Sequence, residues 1–271
     1  MTPNGGRESQ MLIPSGDGHI AGMLHSPEET VSSSAVLFCA PFGDERKSAW
    51  RVLTQMSRAV AAAGWPVLRF DYRGCGESPG EFVDATLDTR LADIASAASH
   101  LRETLGVEKI CLLGLRFGAT LAVRAAKDLE GAESAILLEP VLDGQQYFAR
   151  MEQRKKLRQM MTQGRAEGQG SPRDILDLDG YAVRRETLSD LEGVRIETAG
   201  ATTLRRSLLV QMSFNEKLRP ETERCREVLA DGGGEVQLEK LVMPPFWSRV
   251  DIVDTQRLDL LVTRWLQEKR V

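Results

Sequence analysis

The most constraining stretch of the chain is Cys111–Ala122, CLLGLRFGATLA. An apolar run of strand length enters a turn bracketed by Gly114 and Gly118, and an apolar helix-forming run leaves it. The two glycines give the turn between strand and helix conformational freedom, with Arg116 at its centre. A strand apolar on both faces that feeds directly into a helix belongs inside a parallel sheet.

The rest of the sequence repeats that rhythm. Ala35–Ala40, Pro66–Tyr72, Lys109–Gly114, Ser134–Leu138, Ser207–Phe214 and Glu235–Leu241 read as strands, several of them apolar throughout. Lys47–Ala63, Leu87–Leu105, Phe117–Leu129 and Pro220–Leu229 read as helices, and a last helix carries Leu258, Leu261, Val262, Trp265 and Leu266 on one face. At the start, Gln10–Pro14 and Gly18–Leu24 flank the turn signal Ser15-Gly16-Asp17 and predict a hairpin. Alternating strands and helices predict an α/β fold with a mostly parallel central sheet. The rhythm breaks over residues 143–204, too long for a structureless loop, so a helical insertion is expected there, broken by GQGSPRD. Residues 1–142 and 205–271 then form the core.

With 42% apolar and 27% charged residues, a chain of 271 residues is neither disordered nor of low complexity. Lys plus Arg total 35 against 39 for Asp plus Glu, a net charge of −4, which speaks against nucleic acid and anionic membranes as partners. No apolar run approaches the roughly 18 residues of a membrane span, and MTPNGGRESQ lacks a signal-peptide layout, so a cytoplasmic protein is expected. Cys39, Cys75, Cys111 and Cys225 show neither CxxC spacing nor clustering with histidine, and are expected to pack as small hydrophobes. No metal or cofactor motif is present; Gly232–Gly234 lacks the context of a phosphate loop.

The segment Gly114–Gly118 has the glycine spacing of the nucleophile elbow, and the chain resembles the α/β-hydrolase fold over nearly its whole length. FCAPFGDE stands where the oxyanion-hole loop follows its strand, FDYRGCGES resembles the turn of esterase and peptidase-like members, and the 143–204 insertion falls where that fold carries its lid. GLRFGATLA, DYRGCGESPGEFVDAT and MPPFW are similar to the hydrolase-like proteins of the exosortase A and exopolysaccharide system, which implies a link to such a system.

Against that pattern the catalytic positions differ. Arg116 stands at the nucleophile position, and a guanidinium offers no alkoxide. His19, His25 and His100 all precede it, while the loop expected to carry the histidine reads Met243-Pro244-Pro245-Phe246-Trp247. The acid position holds Asn215 or Glu216, with no imidazole to orient. What survives is an anion-binding arrangement, with the Phe117 N–H at a helix N-terminus and the Phe42-Gly43 loop facing it. Arg116 there needs an anion: an internal partner such as Glu139, Asp44 or Glu45, or a ligand carboxylate or phosphate gripped by its planar fork. The two are compatible.

Phe246 and Trp247 read either as core under the last helix or as pocket wall. Arg150, Arg154, Lys155, Lys156 and Arg158 read as a solvated helix face, or as part of a lid steering an acidic ligand or partner. Cys75 has no histidine placed to activate it, Ser78 reads as a turn brace, and His100 sits beside a core face. Three functional classes follow: a catalytically degenerate hydrolase homologue that binds a small anionic or acyl-bearing ligand, a hydrolase of unconventional chemistry, or a scaffold contacting other proteins through the lid. Oligomeric state is not encoded in any of these features.

Overall fold

A computed structural model describes residues 6–161, 174–196, 204–249 and 251–268. Strands β1 (Arg7–Ser15), β2 (Gly18–Ser26), β3 (Ser34–Cys39), β4 (Val67–Phe70), β5 (Lys109–Leu115), β6 (Ala132–Leu138), β9 (Arg206–Ser213) and β10 (Glu235–Val242) form one sheet. Its order is β1-β2-β4-β3-β5-β6-β9-β10. The hairpin pairs antiparallel with itself and with β4, and every other pairing is parallel. Every residue of β3 is buried, and in β5 only Lys109 is partly exposed, as a strand covered on both faces requires.

Helices cover the two faces. Helices α1 (Asp44–Ala62) and α7 (Gln256–Glu268) pack on one side through Leu53, Met56, Leu258 and Trp265. On the other side lie α2 (Leu87–Leu105), α3 (Phe117–Ala126) and α6 (Pro220–Asp231), through Ile94, Leu121 and Leu229. Helix α2 opens on a Thr86 side chain that accepts the Thr89 N–H and closes on left-handed Gly106, matching its expected bounds. Helix α1 begins three residues earlier than periodicity predicts, because Gly43 turns the chain at φ 57° and the acidic pair Asp44-Glu45 suits a helix N-terminus. Strand β4 is shorter than Pro66–Tyr72: beyond Phe70 the Asp71 carboxylate turns inward and accepts the Glu77 N–H at 3.0 Å, which starts the glycine-rich turn. Helix α3 stops at Ala126 rather than Leu129, since Asp128 and Leu129 donate three residues back and tighten the chain towards left-handed Gly131.

The excursion between β6 and β9 is not wholly helical. It contains α4 (Gly144–Met161), an antiparallel hairpin of β7 (Ile175–Leu178) and β8 (Tyr181–Arg184), and α5 (Arg185–Gly193). The hairpin turns on Asp179-Gly180, at φ 55° and 90°, the Asp-Gly pair such turns favour. The expected break at GQGSPRD lies outside the described residues except for Asp174. Tyr147, Phe148 and Met151 of α4, Val183 of β8 and Leu191 of α5 join the same apolar cluster as α2 and α3. The excursion therefore shares the core of the sheet domain.

Candidate functional site

At the C-terminal edge of the sheet the turn from β5 into α3 is built as its glycines predict. A Cβ on Gly118 would strike the carbonyls of Cys39 and Ala40, and one on Gly114 would strike the Ala119 backbone. Between them Arg116 adopts φ 55° and ψ −125°, a conformation that costs an L-residue about 1–3 kcal/mol. Glu139, directly after β6, is also left-handed at φ 49°. The Arg116 N–H bonds Leu138 O and the Glu139 N–H bonds Val210 O, both at 2.9 Å, so adjacent parallel strands hold the two residues side by side.

The Arg116 side chain is 19% exposed and stands between two buried carboxylates. Its Nε donates to Glu45 Oε1 at 3.4 Å, and its Nη1 donates to Glu139 O at 3.2 Å and lies 4.0 Å from Glu139 Oε2. The rings of Tyr147 and Trp247 each lie 5.5 Å from the guanidinium carbon. Burial works against the charge, but Glu45, Tyr147 and Glu139 outweigh it and lift the Arg116 pKa above its ordinary value. Of the three internal partners considered, Glu45 and Glu139 are used, whereas Asp44 points outward on the same first turn of α1. Glu45 Oε2 also accepts the Tyr147 hydroxyl at 2.8 Å, and burial holds that phenol well above its ordinary pKa. Glu139 accepts from Arg219 and from the Met212 N–H.

Arg116 and Glu139 line a cavity of about 490 Å³ between α4, the end of β6 and the start of α6. Arg150, Arg195, Arg219 and Arg224 line it as well, with Asp143 and Glu221. Its wall contains five arginines and three carboxylates, an excess of positive charge suited to an anion. Thr120 Oγ1 donates to Val141 O at 2.6 Å and accepts the Val141 N–H at 3.2 Å, which fixes the cavity's floor to α3. Among these residues Arg219, Arg195, Arg224 and Tyr147 carry no sequence signal, since they arrive from α4, from the segment after α5 and from the start of α6 only through the fold.

Other predicted site residues lie elsewhere. Phe42 and Phe117 are buried in an aromatic cluster with Phe148, ring centroids 5.1 and 5.2 Å from it, and Tyr147 stacks on Phe117 at 5.6 Å. Gly43 faces the Tyr181 ring. Helix α4 thus fills the space over the Phe42-Gly43 loop, and Phe42, Gly43 and Phe117 do not line the Arg116 cavity. Phe246 and Trp247 are likewise not its wall: they are 2% and 7% exposed and pack with α1 and α7, with Trp247 set against Arg116. Asn215 serves its own turn, its side chain accepting the Lys217 N–H at 3.0 Å.

Ser78 braces the glycine-rich turn, donating to Asp71 O and accepting the Ala21 N–H at 2.9 Å. All four cysteines are unpaired and buried. Burial pushes the thiols of Cys39, Cys111 and Cys225 up to about 12 and raises that of Cys75, which leaves none as a ready thiolate. In the basic run, Arg150 reaches the cavity, while Lys155 binds Asp177 of β7 at 3.1 Å. Among the described residues no helix is long and apolar enough to cross a membrane, and no group of three His, Cys, Asp or Glu side chains could hold a metal ion.

Sheet order, helix placement and elbow define the α/β-hydrolase fold. The model of the serine aminopeptidase, S33, family matches residues 46–176, a little under half of the chain. An esterase of Pyrococcus furiosus is 15% identical and superposes with a TM-score of 0.68, covering 99% of this chain and 92% of its own. Est1E of Butyrivibrio proteoclasticus, determined with ferulic acid bound, is 17% identical at a TM-score of 0.67, over 95% of this chain and 98% of its own. A serine hydrolase of Xanthomonas campestris described as lacking a lid is 18% identical at a TM-score of 0.57, over 96% and 92%. At these identities the likeness shows the fold alone. No curated protein matches the chain.

Proposed function

We propose that this protein is a catalytically degenerate α/β-hydrolase homologue that binds a small anionic or acyl-bearing ligand beneath residues 143–204, which act as its lid. The observation that carries the reading is Arg116 itself: set in the elbow turn, partly exposed, and lining a cavity of about 490 Å³ with an excess of arginine. A guanidinium is a poor nucleophile and a good anchor for carboxylate or phosphate. Glu45 and Glu139 each hold an arginine. Together with the lack of any histidine beyond residue 100, this supports binding over hydrolysis. The reading needs no metal or cofactor, takes the protein as cytoplasmic, and includes the link to an exosortase or exopolysaccharide system that the resemblance implies.

The test is a panel of short and long acyl esters and thioesters, run on wild type and Arg116→Ala, alongside native mass spectrometry of both proteins. No turnover above background is expected in either, with a small co-purifying anion retained by the wild type and lost from the variant. Turnover in the wild type that disappears in Arg116→Ala would overturn the reading and make Arg116 an electrostatic catalyst. A second reading, a scaffold that meets a protein partner through the lid, is favoured by Leu157 and Met160 on α4, which are 59% and 75% exposed.

A further inference from the structure

A second cleft, of about 420 Å³, opens between the first half of α1 and the antiparallel side of the sheet. Its walls include Met23 of β2, Arg46, Lys47 and Trp50 of α1, and Arg69 and Phe70 of β4. Trp50 is 45% exposed, whereas Trp65, Trp247 and Trp265 are all buried. Two guanidiniums flank its indole, that of Arg69 at 4.6 Å and that of Arg46 at 5.3 Å.

The two arginines differ in what balances them. Arg46 is paired with Asp71. Arg69 is 8% exposed, its Nε donates to His25 Nε2 at 3.1 Å, and its Nη1 is buried with no partner. Among the described residues no carboxylate lies within 4.0 Å of it. An imidazole nitrogen that accepts a hydrogen bond is uncharged at that position, so His25 satisfies a donor without balancing the cation. Asp71, and Glu8 through His25, act on this cation only from beyond that distance, and a buried charge so weakly balanced is costly unless a further anion approaches the guanidinium.

We propose that this cleft binds a small monocarboxylate with a flat apolar body, the carboxylate on Arg69 and the body against Trp50 and Met23, which pairs in register with Arg69. Three cations, Arg46, Lys47 and Arg69, face two acids, Asp71 and Glu77, which leaves one positive charge for a monoanion. The fork geometry of the guanidinium suits a carboxylate, and the apolar walls suit a ring rather than a hydrated inorganic ion. The site is separate from the Arg116 cavity, with which it shares no lining residue.

Benzoate is the probe. In full-length protein carrying 15N-indole label, the Trp50 N–H resonance is expected to shift saturably with benzoate up to about 20 mM, the range of a fragment-sized ligand, while the three buried indoles stay in place. By calorimetry, benzoate binding is expected to weaken at least about tenfold in Arg69→Gln and in Trp50→Leu, an exposed position that keeps the test open should Arg69→Gln fail to fold. Arg116→Ala is expected to leave the saturable Trp50 shift unchanged, so this result stands or falls apart from the cavity at the elbow. Three outcomes would overturn the proposal: no Trp50 shift, binding lost in Arg116→Ala but kept in Trp50→Leu, or inorganic phosphate moving Trp50 at equal or lower concentration than benzoate.

Discussion

Arg116, partly exposed, and Arg69, buried, both lie near the C-terminal ends of parallel strands, and their surroundings treat them in opposite ways. Arg116 has a carboxylate on each side and its pKa is raised. Arg69 has a neutral imidazole and an indole face, and burial holds its pKa below the ordinary guanidinium value, with Asp71 and Glu8 only partly compensating. The difference shows that a buried cation in this fold is not one kind of feature. At the elbow it is a structural ion pair that also lines a cavity; beside α1 it is an unbalanced charge.

Removing a partner should separate the two cases most sharply. Glu45→Ala leaves Arg116 with only the more distant Glu139 carboxylate, and a loss of about 3–5 kcal/mol in denaturant unfolding is expected. Pairing Glu45→Gln with Arg116→Met should recover much of it; an Glu45→Ala cost below about 1 kcal/mol would show that the pair is not what balances Arg116.

The next effect is on pH. Burial, then Arg69, lowers the His25 pKa from 6.5 to about 4, with Glu8 opposing. Between those values the unfolded chain binds a proton at His25 that the folded chain excludes, so the His25 contribution to stability should fall as pH drops from about 6.5 towards about 4, while Asp259, pushed up to about 6 by burial, contributes in the opposite sense over part of that window. The difference in denaturant midpoint between wild type and His25→Gln across that window isolates the His25 slope, and no pH dependence of that difference would show that the imidazole is not held neutral.

The smallest change is expected from Arg69→Met. Deleting an unpaired buried charge while keeping the side-chain volume should alter stability by less than about 1 kcal/mol, in contrast to Glu45→Ala. A loss above about 3 kcal/mol would mean that Arg69 is balanced as fully as Arg116 is.

The fold was legible in the chain because its elements are local. CLLG and SAILL are strand-length apolar runs, α2 carries its cap and stop signals, and the Gly114–Gly118 turn has one geometry available to it. The hairpin within the excursion was equally local: Asp179-Gly180 lies between LDL and YAV, but the composition around it obscured the turn. The site was half legible. Arg116 and its candidate partners Glu45 and Glu139 followed from motif and register, whereas Phe42 and Phe117, expected in an anion-binding arrangement, are covered by the side chains of α4, and of the two readings of Phe246 and Trp247 packing with α7 is the one observed.

By itself the sequence determined the strand–helix alternation, the strained turn carrying Arg116, and the lack of a histidine after residue 100. Only the tertiary structure decided that Glu45 and Glu139 would both hold Arg116, that Tyr147 and Phe148 would cover the elbow, and that Arg69 would meet His25 rather than a carboxylate. The physical reason is range. Periodicity, glycine turns and missing residue types act within a few positions of the chain, while the pairing of residues 45, 116, 139, 147 and 219 depends on strand order and on where an inserted segment lands.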